Sequence, residues 1–452
     1  MTAALAWFFI TFSATSLGLS MVLCGLSVLA LKREHRWMLG FESRINERWL
    51  FLPSISVVIP AFNEEDSVVA SIKSVLKSRY PHIEVIVVND GSADQTLVRV
   101  IDSFALQLVG QPLGPGTGLS SEPIRGIFGD AEGKIVLVDK HNGGKADALN
   151  AGINLARSPL VCVVDADTLL ERDTLLQLAE PFFDSPTMLV AGGFIRLRRP
   201  ERSGITSALL YWLQELEYAR SYGCFRAGLN VIHANVIISG ALGLFRRAAV
   251  LEVGGYDPLA VGEDMELILR LHEQYTRQRR PYAIAQIGFA VCRAAACESL
   301  DILGRQRMRW QRGLLSSLRA YRRMMFSRRS GAVGMVALPY LAIFDGLGPI
   351  VEVLGLLYLG GTALAGVLPS SYLAMFLATF FLGSLNNLLC LAVDNAYLGQ
   401  QSSLRARAMM LLMGLSEPFW YHWMNLWWRL RGTYVYLTTV QTRTAWTMRN
   451  RA

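Results

Sequence analysis

Apolar and polar positions alternate in three different ways along this chain. Residues 4–31 form one uncharged apolar run, and residues 331–426 hold three more, at 333–366, 372–393 and 408–426. Between these zones the pattern breaks into short periods. Residues 55–60 (Ile-Ser-Val-Val-Ile-Pro) and 83–88 (Ile-Glu-Val-Ile-Val-Val) are continuous apolar runs of strand length. Residues 66–78 repeat Val68, Ile72, Val75 and Leu76 at helical spacing, and a second helical stretch is predicted over 95–108. Further strands are predicted at 134–138, 160–164 and 192–197, with a helix over 146–156. Strands and helices in alternation imply a largely parallel sheet with right-handed crossovers. Residues 110–133, rich in Gly, Pro and Ser, read as a surface loop.

The outer apolar runs are read against a hydrocarbon core of ~30 Å, which an α-helix rising about 1.5 Å per residue spans in roughly 20 residues. Residues 4–31 exceed that length. No positive charge precedes them, whereas Lys32, Arg33 and Arg36 follow. This is the pattern of a retained membrane helix with residue 32 onward in the cytoplasm, not of a cleaved signal peptide. The run at 333–366 carries Pro339, Asp345, Pro349 and Glu352, which predicts a bend or an interfacial piece besides one crossing. Asp345 and Glu352 lie two turns apart on one face, suited to lining a channel or to packing helices. Two segments look amphipathic. In 209–220, Leu209, Leu213 and Leu216 oppose Glu215, Glu217 and Arg220; in 312–325, Leu314, Leu315, Leu318 and Tyr321 oppose several arginines. Both fit the membrane interface, or alternatively the core of the central domain.

Composition agrees with this division. The chain of 452 residues is 52% apolar and 18% charged, too apolar for an ordinary soluble domain. The net charge of +8 sits largely beside apolar segments, at Arg319, Arg322, Arg323, Arg328 and Arg329, where it matches anionic lipid headgroups and not nucleic acid. Three C-terminal crossings would leave Arg443, Arg449 and Arg451 on the outer face, against the positive-inside tendency, so either one apolar stretch does not span, or the first long one supplies two crossings, or the tendency fails here. The six cysteines form no CxxC pair, so neither a zinc motif nor a disulfide framework is indicated.

In an open α/β sheet, ligands gather at the carboxyl ends of the strands. Three predicted strand ends carry carboxylates: Asn63, Glu64 and Glu65 after the first, Asp90 after the second, and Asp165 and Asp167 in Asp-Ala-Asp after the fourth. Converging carboxylates repel unless a cation intervenes, and alternating aspartates leaving a strand suit an oxygen-seeking Mg2+ or Mn2+. A plain turn gives the same tripeptide. Lys145, after two glycines and before a helix, suits a phosphate or simply solvent. Ser239-Gly240-Ala241-Leu242 and Gly262-Glu263-Asp264 follow, then Gln306-Arg307-Met308-Arg309-Trp310. Taken singly, Gly262–Asp264 reads as a helix start and Trp310 as an interfacial anchor.

Together and in order, these motifs resemble the family 2 glycosyltransferases, the group of cellulose, hyaluronan, chitin-oligosaccharide and poly-N-acetylglucosamine synthases. The resemblance covers about residues 54–330 and rests on Val-Val-Asn-Asp-Gly-Ser (87–92), Gly-Lys-Ala-Asp-Ala-Leu-Asn (144–150), Asp-Ala-Asp (165–167), Gly-Glu-Asp (262–264) and Gln-x-x-Arg-Trp (306–310). It implies an α/β GT-A fold with a mixed, mainly parallel sheet, joined to transmembrane and interfacial amphipathic helices. By motif match, Asp90 contacts the uracil of a UDP-sugar, with Ala61, Asn63 and Glu64 over the nucleotide and Lys145 and Asp165 beside it. Asp167 holds the metal and Asp264 is the catalytic base. Ser239, Gly240, Glu263, Gln306, Arg309 and Trp310 hold the diphosphate and the acceptor. Ala241 stands where several synthases have proline, which leaves the acceptor details open.

The domain boundaries expected are a membrane helix with basic flank over 1–36, a cytoplasmic catalytic domain over 50–300, an interfacial helix over 301–330, membrane helices over 331–426 and a basic tail over 427–452. The expected partners are a UDP-sugar donor, a glycan or lipid acceptor and membrane lipids, with room for an accessory membrane subunit and none for nucleic acid. The resemblance implies inverting transfer to a growing polysaccharide in the plasma membrane. A related enzyme adding one sugar to a lipid would carry similar motifs. A transporter or channel with a degenerate nucleotide-sensing domain would not be expected to keep the acidic set.

Overall fold

A computed structural model describes residues 2–109, 118–200, 204–368, 370–398 and 403–449. It divides into two compact units, one of residues 32–198 and 235–296, the other of residues 1–31, 199–234 and 297–452.

The first unit is built on a ten-stranded mixed sheet: β1 Ile55–Ala61, β2 Ile83–Asn89, β3 Gln107–Leu108, β4 Ile124–Gly129, β5 Ile135–Lys140, β6 Leu160–Val164, β7 Leu169–Leu170, β8 Met188–Arg198, β9 Leu242–Arg246 and β10 Ala283–Ala295. The spatial order is β3-β4-β5-β2-β1-β6-β9-β8-β10-β7. β5, β2, β1 and β6 run parallel, as the strand–helix alternation predicts, and β8 runs parallel to β10. β9 is inserted antiparallel between β6 and β8. The buried valines and isoleucines of β1, β2, β5 and β6 meet Ala148, Leu149 and Ile153 of helix Lys145–Leu155 and Leu267, Ile268 and Leu271 of helix Glu263–Gln278 in one core.

Two expectations fail in this unit. The loop predicted over 110–133 contains β4, antiparallel to β5, although residues 110–117 lie outside the described residues. The helix predicted over 95–108 stops at Phe104, where Ala105 turns left-handed (φ 50°), and the chain continues as the short edge strand β3. β3 is an exposed two-residue edge piece, and β4, between β3 and β5, buries only alternate residues at its end, so neither sequence holds a continuous apolar run.

The second unit is helical. Among the described residues, three helices are long and apolar enough to cross a membrane: Ala4–Met38, Val333–Leu364 and Ser370–Ala396. The run expected to bend at its prolines stays helical, widening into π-helical turns at Val333–Ala337 and Leu341–Leu347. Such turns absorb the ladder bonds that Pro339 and Pro349 cannot make. Asp345 pairs with Arg429 at 3.2 Å, and Glu352 pairs with His422.

The apolar stretch at 408–426 is not one continuous helix. Helix Leu404–Ser416 has 13 residues, about 20 Å at the usual rise, and ends at the 3-10 turn Glu417–Phe419 before helix Tyr421–Arg449 begins. Pro418 removes a backbone donor, and the buried Glu417 carboxylate is turned inward to Arg220 and Asn387. Of the basic tail, Arg451 lies outside the described residues. The segment 209–220 is helical, within Ile205–Tyr218, yet Glu215 is buried beside Leu213 and Leu216. The neighbouring Gln214 exchanges two hydrogen bonds with the Cys297 backbone, at 2.9 and 3.0 Å. In 312–325, Leu318 and Tyr321 are buried and Arg319, Arg322 and Arg323 exposed, as the amphipathic pattern predicts.

Candidate active site

The ends of β1 and β2 are laced together. The Asp90 N–H donates to the Ala61 carbonyl at 2.9 Å. The Asn63 N–H donates to Ser92 Oγ at 3.0 Å, the Ala93 N–H to Asn63 Oδ1 at 2.9 Å, and the Glu64 N–H to Thr96 Oγ1 at 2.8 Å. Asn63 turns left-handed (φ 56°), a conformation that asparagine tolerates better than most residues. Gly91 (φ 71°) lets the loop pass so near Asn142 that a Cβ would stand 2.9 Å from its backbone nitrogen.

Beneath these loops lies a closed ionic knot. Lys140, the last residue of β5, bridges Asp90 and Asp147 at 2.6 Å each, with the lysine side chain 0% exposed and the two carboxylates 4% and 8%. The Gly143 and Gly144 N–H groups donate to the Asp90 carboxylate at 3.0 and 2.8 Å. The Glu122 N–H donates to Asp147 at 2.9 Å. The knot therefore joins the end of β2, the glycine loop and the first turn of helix Lys145–Leu155.

Beside the knot a second set is open to solvent. Lys145 pairs with Asp165, the two side chains being 29% and 31% exposed, and stands 3.8 Å from Glu263 Oε1. A Cβ at Gly240 would stand 2.9 Å from Lys145 Nζ and push the ammonium aside. Burial works against the charge of Lys145, but Asp165, Glu263 and Asp264 outweigh it and hold its pKa above the ordinary lysine value. Burial, then the like charge of Asp165, pushes Asp167 up, and burial with repulsion from Asp167, Asp165 and Asp94 pushes Glu64 up. Carboxylates raised by mutual repulsion and partly neutralised by one lysine suit a divalent cation and the phosphates it would carry. The oxygen donors present fit Mg2+ or Mn2+.

Comparison with known proteins identifies the unit. Residues 56–112 match the family described as Glycosyl transferase family 2, and residues 122–313 the one described as Glycosyltransferase like family 2. The chain is a family 2 glycosyltransferase. It is 30% identical over 282 residues, 62% of its own length and 59% of the relative's, to a poly-beta-1,6-N-acetyl-D-glucosamine synthase of Staphylococcus aureus (strain MSSA476). A synthase of the same description from Staphylococcus epidermidis is 30% identical over 259 residues, 57% of this chain and 54% of the relative. The chain thus spans less than two thirds of the length of the curated relatives it matches. A mannosyltransferase from Pyrobaculum calidifontis, solved with GDP-Man and Mn2+, superposes with a TM-score of 0.54 at 18% identity, covering 86% of this chain and all of that one. The fold is GT-A.

Within this glycosyltransferase, motif residues without an expected role prove to be supports. Asn150 accepts from the Tyr256 N–H and donates to the Tyr256 carbonyl, both at 2.8 Å. It thereby fixes the chain that leads into Gly262–Asp264. The buried Tyr256 sits edge-on to Phe245 of β9 and within electrostatic reach of Glu263, Asp264 and Asp165. Asp264 opens helix Glu263–Gln278, whose first turn carries Glu263, Asp264 and Glu266, charges that complement a helix N-terminus. His272, on the same helix, is buried between the Tyr282 hydroxyl and the Asn235 carbonyl, each 2.8 Å away. Nε2 must donate to that carbonyl, so Nδ1 accepts from Tyr282. Burial pushes the imidazole pKa down to about 4, which keeps the ring neutral. Ser239 closes the turn before β9, its Oγ accepting from the Ala241 N–H at 3.3 Å.

Gln306, Arg309 and Trp310 belong to the helical unit of the glycosyltransferase, on helix Leu300–Ala320. Arg309 and Trp310 are exposed and Gln306 is half-buried. The sequence gives no role to Arg307, yet this residue organises the motif. Its buried guanidinium pairs with Glu217, which also accepts from Asn425 at 2.9 Å, and lies 4.2 Å from the centre of the Trp310 ring. Neither Lys140 nor Arg307 stood out in the sequence: Lys140 follows Asp139 at the end of its apolar run, and Arg307 is one of four arginines at 305, 307, 309 and 312.

Proposed function

We propose that the chain is an inverting polysaccharide synthase that moves a hexose or N-acetylhexosamine from a UDP-sugar to the end of a growing glycan at a membrane. The observation that carries this reading is the convergence of Lys145, Asp165 and Glu263 in one solvent-open crevice with Asp264 beside them. N-acetylglucosamine is the first sugar to test, because the curated relatives are poly-beta-1,6-N-acetyl-D-glucosamine synthases.

Asp264 takes the proton of an acceptor hydroxyl as that oxygen attacks the anomeric carbon from the face opposite UDP, so the configuration inverts. Lys145 supports the diphosphate as negative charge grows on the leaving oxygen. Asp165 and Asp167 would hold Mg2+ or Mn2+, with Glu64 nearby; the cation, when bound, neutralises diphosphate charge. Asp90 acts on the nucleotide through the glycine loop it holds. Arg309 and Trp310 supply a cation and a flat apolar face for the diphosphate and the acceptor sugar. The helices of the second unit hold the enzyme at the membrane with its catalytic unit on the cytoplasmic side, where they offer the product a route across.

The purified full-length chain in detergent, given radiolabelled UDP-sugars singly with Mg2+ or Mn2+, is expected to make a ladder of polymer from one of them and nothing in EDTA. A single glycolipid product would replace the polymer reading with the lipid-acceptor one. Transfer that retains the anomeric configuration would overturn the mechanism.

A further inference from the structure

Three cysteines far apart in the chain meet within the helical unit. Cys24 lies on helix Thr2–Met38, Cys224 in the π-helical segment Ala219–Arg226 and Cys390 on helix Ser370–Leu398. All three are buried and unoxidised, and their sulfurs lie within 4.8 Å of one another, Cys24 and Cys224 being 3.5 Å apart.

Distance discriminates between the chemistries open to them. A disulfide joins two sulfurs at about 2.0 Å and leaves the third unused. A metal bound at about 2.3 Å per thiolate sets its sulfurs roughly 3.8–4.0 Å apart. The observed span brackets the second arrangement. Buried cysteines often serve as small apolar fillers, but fillers have no reason to seek each other's sulfurs.

The backbone is shaped to bring them together. A π-helical segment, a form frequent at functional sites, carries Cys224. The glycines flanking it allow close approach to both other elements. At Gly228 a Cβ would stand 2.4 Å from the carbonyl oxygen of Leu23, the neighbour of Cys24. At Gly223 it would stand 3.0 Å from Oδ1 of Asp394, one turn beyond Cys390.

We propose that Cys24, Cys224 and Cys390 form a three-thiolate site for a soft d10 cation, Zn2+ or Cu+, which ties the three helical segments together. Binding forms three metal–sulfur bonds and releases the thiol protons to solvent, with no change of oxidation state. The ion is a structural clamp, independent of the divalent cation proposed for the carboxylate crevice.

The test uses the full-length chain purified under reducing conditions. Elemental analysis is expected to find one zinc or copper per chain, the metal found deciding between them. After chelator treatment, Cd2+ is expected to titrate to one equivalent with a thiolate-to-metal absorption band. Cys24→Ser, Cys224→Ser and Cys390→Ser each remove the band or weaken Cd2+ binding at least ~10-fold, while Cys297→Ser leaves it unchanged. Zn2+ or Cu+ restores the melting temperature of the stripped wild type. The wild-type measurements stand even if a serine variant fails to fold. Three free, alkylatable thiols with no bound metal and no band would overturn the proposal, as would a Cys24–Cys224 disulfide in the mass spectrum.

Discussion

Two lysines five residues apart, Lys140 and Lys145, each face aspartates at the ends of the same parallel strands, and they do opposite work. Lys140 is sealed between Asp90 and Asp147, with every charge buried and paired. Lys145 is nearly a third exposed, and its carboxylate neighbours outnumber it. In the knot, Lys140 and the N–H groups of Gly143, Gly144 and Glu122 satisfy both carboxylates and lock the end of β2, the glycine loop and the first turn of helix Lys145–Leu155. In the crevice, burial and then like charges raise Glu64 and Asp167, which leaves the site short of positive charge until a cation and a diphosphate enter. The same residue types are a fastening where water is excluded and a ligand site where it is admitted.

The comparison can be broken at several points. The largest effect is expected on the crevice side, where Asp264→Asn should lower transfer by a factor of about 100 to 10,000 and largely spare UDP binding, measured by initial rates and by calorimetry. Normal transfer by that variant would remove Asp264 from the reaction. The two lysines should then separate cleanly. Lys140→Met strands two buried carboxylates and is expected to cost about 3–5 kcal/mol in denaturant unfolding. Lys145→Met should leave the melting temperature almost unchanged while cutting transfer roughly 100-fold. A reversal of those two outcomes would dissolve the distinction.

Stability against pH sharpens it further. His272 has its pKa pushed down to about 4, whereas an unfolded histidine titrates near 6.5. Below pH 6.5 the unfolded chain binds a proton that the folded one refuses, so stability falls as pH drops and levels off near pH 4. The loss amounts to about 3 kcal/mol. His272→Gln should flatten this slope in urea titrations at pH 7, 5.5 and 4.5. The smallest effect belongs to Asp167. Its raised pKa means that ionisation opposes folding as pH rises, so Asp167→Asn should slightly raise the melting temperature at pH 7.5 in EDTA. The same variant should lose the further stabilisation that Mn2+ gives the wild type.

Much of this was legible before any coordinates. The parallel strands were visible because they are buried on both faces and read as unbroken apolar runs; β6 was predicted to the residue at 160–164. The acidic strand ends were visible because carboxylates interrupt those runs. β3 and β4 were not, since neither a two-residue edge strand nor a strand with one polar face has such a run. Whether the stretch at 408–426 is one helix was not legible, because composition alone does not show that Glu417 and Pro418 form a 3-10 turn between two helices.

By itself the sequence determined the α/β class, the long apolar helices, the family and the residue types available for chemistry, because each is written in local spacing and order. The tertiary structure decided which charges are fastened and which are free. Lys140 and Lys145 look alike along the chain, and only the depth at which each meets its carboxylates distinguishes a support from a binding group. The meeting of Cys24, Cys224 and Cys390 was equally invisible, because a contact among residues so distant in the chain is set by helix packing and not by spacing.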